Sequence, residues 1–214
     1  MARKHETIFE AVDVLRMFPT FVWKAELKPE VNLRINQRVI GKLDQIRQTM
    51  PELAPGQSWQ SDQDLHKFDE IRELVSCVND AVGCVLDFLK IAEDAFEITG
   101  FWANMNAHGA AHGMHSHPNN FLSGVYYVQT GKGADTINFH DPRSQTDIIK
   151  PPVSELTAEN TDQVVVNVKN GTLLVFPSWL VHSVDASRGD DTRISISFNI
   201  MFSAYAEKIS KPLW

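Results

Sequence analysis

The sequence predicts a mainly β protein with some α structure: a double-stranded β-helix core (jelly roll, cupin-like) braced by N-terminal helices. Three observations predict it. Hydrophobic periodicity is helical up to about residue 95 and strand-like after it. Turn-forming residues punctuate the second half at short intervals. One late segment, Arg193-Ile194-Ser195-Ile196-Ser197-Phe198-Asn199-Ile200, alternates strictly between polar and apolar residues, so a strand there has one polar face and one wholly apolar face. A chain of 214 residues fits one domain that buries a full core, so residues 1–214 are read as a single domain. Residues 1–95 are its helical support region and residues 96–201 its jelly-roll core.

In order, Phe18 to Leu27 reads as an opening strand. Ile35, Val39, Leu43 and Ile46 recur at helical spacing, and this amphipathic helix ends before Pro51. Ala54-Pro55-Gly56-Gln57-Ser58 is a loop. Phe68, Ile71, Leu74, Val75, Val78, Val82, Val85 and Leu89 mark a longer helix, with Asp62 or Asp64 as its cap. Strands follow at Phe96–Asn106, Leu122–Gln129, Thr136–His140, Val164–Val168, Thr172–Phe176, Val181–Asp185 and Thr192–Met201. Asn170-Gly171 is the sharpest hairpin signal among the turns. On the last strand, alternation alone leaves open whether the polar face looks outward or into a barrel.

A formal net charge of −7, with no basic stripe, argues against nucleic-acid or anionic-membrane partners. Cys77 and Cys84 lie seven apart on a helical pattern, about 10 Å along the axis and too far for a disulfide. They read as small core residues of a protein in a reducing compartment. With no apolar signal region at the N-terminus and no run of membrane-span length, the expected location is cytoplasmic.

The chemistry concentrates in His115-Ser116-His117-Pro118 and in the distant His182. Imidazoles at i and i+2 of an extended segment share one face and can grip one ion; a third completes one triangular face of an octahedral site, leaving positions open for substrate and dioxygen. That is the layout of a non-haem iron centre with His115, His117 and His182 as ligands. If residues 186–191 form the turn of a hairpin, His182 lies opposite Ser195, and residues 193, 195, 197 and 199 share its face. Arg193 then sits about 7 Å along the strand, a gap that suits a five-carbon diacid bound to the metal at one end. Its planar fork holds a carboxylate bidentately, and Ser195 adds a hydrogen bond.

Asn104 and Asn199 are candidates for bonding the co-substrate or orienting a histidine, with simple buried satisfaction as the alternative. Tyr126 and Tyr127 point to opposite faces, so one enters the site and the other is core. Tyr127 is carried as the candidate, although the pattern does not choose. His108 and His112 sit among glycines and alanines and read as loop, lining the pocket at most, while His140 is structural. Trp102 and Trp179 are packing residues. Arg193 has a bland alternative, an ion pair with Asp190 or Asp191.

Taken together, Trp102-Ala103-Asn104, His115-Ser116-His117-Pro118, Leu122-Ser123-Gly124-Val125-Tyr126-Tyr127-Val128, Asp141-Pro142-Arg143, Phe176 to His182 and Arg193 to Asn199 resemble the iron(II)/2-oxoglutarate-dependent oxygenase superfamily. The likeness is to its bacterial and phage branch with an HxHP motif, and it covers roughly residues 96–201. The resemblance implies a jelly roll, Fe(II) and 2-oxoglutarate as cofactors, and an enzyme that hydroxylates a substrate while decarboxylating 2-oxoglutarate to succinate. It carries the metal-ligand role onto His115, His117 and His182, and the co-substrate anchor onto Arg193. Most of the superfamily has a carboxylate where this chain has His117. A three-histidine face still suits ferrous iron, and Asp141 or Asp185 is the alternative third ligand. Two rivals remain: a three-histidine cupin-like dioxygenase that does not use 2-oxoglutarate, and a non-catalytic jelly roll that binds a small acid. The expected partner is a small-molecule or peptide substrate, and a homo-oligomer is open. The segment from Arg143 to Asn160 is a long loop placed to line the mouth.

Overall fold

The computed structural model describes residues 8–92, 95–143, 148–189 and 191–206. A short strand β1 (Trp23–Glu26) precedes helix α1 (Pro29–Arg47). Pro29 opens α1 where its missing N–H costs nothing, Glu30 lies in the first turn, and Ile35, Val39 and Leu43 are buried at the predicted spacing. After β2 (Ser58–Gln60), two 3-10 turns, Leu65–Lys67 and Asp69–Ile71, lead into α2 (Arg72–Leu89). This helix starts later than its apolar pattern because Phe68 has extended backbone (ψ 139°) and interrupts the helical run. Ile71 is the N-cap and no side chain caps it, so neither Asp62 nor Asp64 has the capping role expected. At the other end Lys90 turns left-handed (φ 55°), and the Ile91 N–H closes on the Leu86 carbonyl at 3.0 Å.

Then come β3 (Phe96–Asn106), β4 (His112–His115), β5 (Leu122–Gln129), β6 (Thr136–His140), β7 (Gln163–Asn167), β8 (Thr172–Pro177), β9 (His182–Val184) and β10 (Arg193–Phe202), with a last turn of helix, α3 (Ser203–Ala206). They form two antiparallel sheets, a six-stranded one in the order β1-β8-β5-β10-β3-β2 and a four-stranded one in the order β4-β9-β6-β7. This is the double-stranded β-helix with its helical brace. Val78, Val82 and Val85 of α2 and Ile35, Val39 and Leu43 of α1 pack on the outer face of the large sheet, against Tyr126, Ile194, Ile196, Phe198 and Ile200. A second cluster, including Tyr127, Ile137, Phe139, Leu174 and Phe176, fills the space between the sheets. The two faces of β10 are therefore assigned: apolar toward the helices, polar into the barrel.

Two expectations about pairing do not hold. β9 and β10 are not a hairpin: β9 pairs with β4 and β6 in the small sheet, and β10 with β3 and β5 in the large one. His182 therefore faces Arg193 across the barrel and is not its neighbour along one sheet. Asn170-Gly171 is a turn but not a hairpin. It carries the chain from β7 in the small sheet to β8 in the large one, closed by Thr172 N–H to Lys169 O at 2.9 Å, with Gly171 at φ 85°. In both cases the chain must change sheets, because pairing within one sheet would leave one side of the core uncovered. Cys77 is half-buried as a core residue should be, but Cys84 is exposed on the outer side of α2.

Gly124 marks the tightest approach within the large sheet. A Cβ there would lie 2.2 Å from Phe198 Cζ and 2.5 Å from the Leu174 carbonyl oxygen. Since backbone cannot yield cheaply, Gly124→Ala is expected to destabilise the protein by about 1–3 kcal/mol. The check is a lowered urea midpoint at unchanged slope; an unchanged midpoint would show that β5 and β8 are less closely held.

Candidate active site

The ladder between β4 and β9 sets His115 directly opposite His182, with ring centroids 4.3 Å apart. His117 follows just beyond the end of β4. Its N–H bonds the Ser178 carbonyl at 2.8 Å, which turns its ring parallel to that of His182 at 5.2 Å. One nitrogen from each of the three rings falls within 4.8 Å of the others, a group able to hold a metal ion. Among the described residues no carboxylate joins it: Asp141 pairs with Arg143 at 2.7 Å and Asp185 is exposed.

Hydrogen bonds fix which nitrogen of two of these rings is free. His115 Nδ1 lies 2.8 Å from the Gly113 carbonyl and His182 Nδ1 lies 3.0 Å from the Leu180 carbonyl. A carbonyl only accepts, so both Nδ1 atoms carry the proton and, in the neutral rings, both Nε2 lone pairs are free. His117 Nε2 sits 3.4 Å from His182 Nε2. Burial, and then the neighbouring imidazoles, lower His117 to about 3; burial foremost lowers His182 to about 4. Both are therefore neutral at ordinary pH, the state a metal ligand needs. Trp102 packs 5.8 Å from His117, and Phe176 meets His182 edge-on at 4.8 Å.

These rings open on a cavity of about 230 Å³, whose far wall is the polar face of β10 with its neighbours. Arg193, Ser195, Asn104 and Tyr127 all line it. Arg193 is 3 % exposed, yet its bonding is thin: Nη1 reaches the Thr136 carbonyl at 3.4 Å, the guanidinium lies 5.1 Å from the Tyr127 ring, and Nε has no partner. No carboxylate pairs with it among the described residues, Asp191 included; Asp190 lies outside them. The ladder sets Ser195 opposite Tyr127 on one side and Asn104 on the other. Asn104 donates to Ser197 Oγ at 3.0 Å.

The tyrosines divide as alternation requires. Tyr127 is fully buried, its hydroxyl makes no well-formed hydrogen bond, and burial pushes it up to about 12 against the opposing pull of the nearby Arg193 charge. Tyr126 faces the helices and its hydroxyl bonds Asn36 Oδ1 at 2.8 Å. Asn199 is not brought into the cavity: its Oδ1 accepts from Ser123 Oγ at 2.7 Å beside a bulge in β10. His140 bonds Ser183 Oγ at 2.9 Å, and His108 lies exposed at the Gly189 carbonyl. Trp179 is 54 % exposed and is not a packing residue. Asn106 and His112 line the cavity; Asn106 was missed as a site residue, whereas His112 has the pocket-lining place the sequence allowed it, on a strand and not in a loop. The alternation of Trp102, Asn104 and Asn106 along β3 was the signal for the first; nothing local marks His112 as part of a strand.

Residues 100–199 match a family model described as "Putative 2OG-Fe(II) oxygenase". The match spans the strand-rich half of the chain, and the family it describes is one of non-haem iron oxygenases that use ferrous iron and 2-oxoglutarate. Solved structures share the fold. The carbocyclase SnoK from nogalamycin biosynthesis superposes with TM-score 0.62 at 14% identity, over 91% of this chain and 89% of that one. HygX from Streptomyces hygroscopicus, with nickel and 2-oxoglutarate bound, gives 0.60 at 10% identity over 86% and 83%. A prolyl-4-hydroxylase of Pseudomonas putida gives 0.56 at 14% identity over 86% and 93%. No curated protein matches the sequence. Among the described residues no helix is long and apolar enough to cross a membrane.

The residues present fit these cofactors. Three convergent imidazoles suit ferrous iron, and a buried guanidinium and phenol with unmet hydrogen-bonding capacity suit a carboxylate guest.

The unpartnered Tyr127 hydroxyl has a measurable consequence in the ligand-free protein. Tyr127→Phe is expected to leave stability unchanged or slightly raised, whereas Tyr126→Phe loses about 1 kcal/mol with its hydrogen bond. Equal losses in thermal or urea unfolding would mean that Tyr127 has a protein partner.

Proposed function

We propose that the chain is an Fe(II)/2-oxoglutarate-dependent oxygenase that hydroxylates a small-molecule or peptide substrate. In this reading His115, His117 and His182 hold the iron, and Arg193, Ser195 and Tyr127 receive the distal carboxylate of 2-oxoglutarate. Bound iron and 2-oxoglutarate supply an oxidation in which dioxygen gives one atom to a substrate C–H bond and the other to succinate, with release of carbon dioxide. The observation that carries the reading is a buried arginine, without a carboxylate partner, in the same cavity as three convergent imidazoles.

The chain's own groups have defined tasks here. The carbonyls of Gly113 and Leu180 hold Nδ1–H of His115 and His182, and so aim Nε2 inward. Trp102 covers one side of His117, and Phe139 and Phe176 cover His182, while His115 stays open to solvent. Arg193 cannot lose its proton and so presents a permanent charge to the co-substrate. Residues 1–95 serve as the brace and 96–201 as the working core of one domain, and two unpaired cysteines fit a reducing, cytoplasmic setting. HygX has been solved with hygromycin B, and a prolyl hydroxylase of Trichoplax adhaerens with a peptide; both substrate classes fit the present reading.

The all-histidine ligand group favours one alternative, a dioxygenase that takes no 2-oxoglutarate. Anaerobic titration of 2-oxoglutarate into Fe(II)-loaded protein separates the two. A saturable visible charge-transfer band is expected, and it disappears in His182→Ala. Absence of the band despite stoichiometric iron would reject the 2-oxoglutarate reading. Arg193→Ala is expected to raise the half-saturating concentration about 30-fold or more, equivalent to about 2 kcal/mol lost from a buried charge contact. An unchanged value would remove Arg193 from the site.

A further inference from the structure

Arg193 does not face the cavity alone. The β3–β10 ladder places Asn106 directly opposite it, which puts their side chains on one face with Cβ atoms about 5 Å apart. Asn106 is buried, and its Nδ2 lies 2.9 Å from Nε2 of His112. His112 is paired through β4 with Val184 on the opposing sheet, so this hydrogen bond ties the two sheets together at the arginine end of the cavity. Burial, and then the Arg193 charge, lower the pKa of His112, so its ring is neutral and its Nε2 can accept. One amide N–H of Asn106 is thereby committed to His112, and the carboxamide is held in one orientation. The second N–H and the oxygen remain; no hydrogen bond occupies them among the described residues.

We propose, resting on the 2-oxoglutarate reading above, that Asn106 is a second arm of the clamp on the co-substrate's distal carboxylate, and that His112 is the positioning residue that locks its amide. The free N–H of Asn106 donates to one carboxylate oxygen while Arg193 donates to the other. His112 touches no co-substrate atom and acts only through Asn106. The pair thus makes the site selective for a diacid over an oxo acid that carries only the metal-chelating end.

The test compares two probes on the same Fe(II)-loaded protein under anaerobic conditions: 2-oxoglutarate and 2-oxopentanoate, which has the same chelating head and no distal carboxylate. Binding is read from the charge-transfer band and, independently, by calorimetry with Mn(II) in place of iron. Asn106→Ala is expected to weaken 2-oxoglutarate about tenfold, the loss of one hydrogen bond to a charged group, and to leave 2-oxopentanoate within about twofold. His112→Ala is expected to weaken 2-oxoglutarate selectively but less, and His112→Gln, which keeps an acceptor, to restore it. Equal weakening of both acids would reduce the pair to a structural strut and overturn the proposal, as would an unchanged affinity for 2-oxoglutarate in Asn106→Ala. If the unaltered protein binds iron but gives no band with either acid, the 2-oxoglutarate reading itself fails and takes the clamp with it. Retained 2-oxopentanoate binding and iron stoichiometry in each variant show that it has folded.

Discussion

Everything in this molecule turns on the position of β10. It lies inside the large sheet with β5 on one edge and β3 on the other, so none of its side chains can escape sideways. Ile194, Ile196, Phe198 and Ile200 must go to one face, and α1 and α2 cover them there. Arg193, Ser195 and Ser197 must go to the other, into the space between two sheets. Buried polar groups are costly unless they are bonded, and here several are not fully bonded by protein. The Arg193 Nε and the Tyr127 hydroxyl have no partner. Such deficits are tolerated where a guest makes them good, and these two meet at the cavity that the imidazoles overlook.

The small sheet supplies what the large sheet lacks. Its β4–β9 ladder brings His115 and His182 face to face, and the Ser178 carbonyl pulls His117 into the same space after the strand has ended. Burial keeps His117 and His182 unprotonated and so ready to donate lone pairs. In the proposed assembly iron and Arg193 contribute three positive charges, and dianionic 2-oxoglutarate offsets two of them. A carboxylate ligand in place of His117 would offset the third. Its absence leaves a more electrophilic metal end, and this gives the diacid more electrostatic reason to bind.

The helices contribute precision. Asn36 on α1 donates to the Val128 carbonyl at 2.7 Å and receives the Tyr126 hydroxyl, which pins the helix to β5. Because adjacent residues of a strand face opposite ways, fixing Tyr126 outward also fixes Tyr127 inward. One tyrosine spends its hydroxyl on architecture, and its neighbour keeps its hydroxyl for the cavity.

Much of this was legible in the chain. β3, β5 and β6 run between the residues that alternation and turn signals marked, and the two faces of β10 were visible in its spelling. The three histidines and Arg193 were legible as a set because their types and order are unusual for any purely structural purpose. β2 and β4 were not, since three or four residues with few β-branched side chains carry almost no local signal and form strands only because β3 and β9 offer them partners. By itself, the sequence determined which residues share a face, because alternation is a consequence of local backbone geometry. Only the tertiary structure decided which faces meet: that β9 and β10 belong to different sheets, that Asn170-Gly171 crosses between them, and that Asn106 and His112 close on each other beside Arg193. Strand pairing is chosen by burying two faces at once across the whole chain, and no short stretch of residues contains that information.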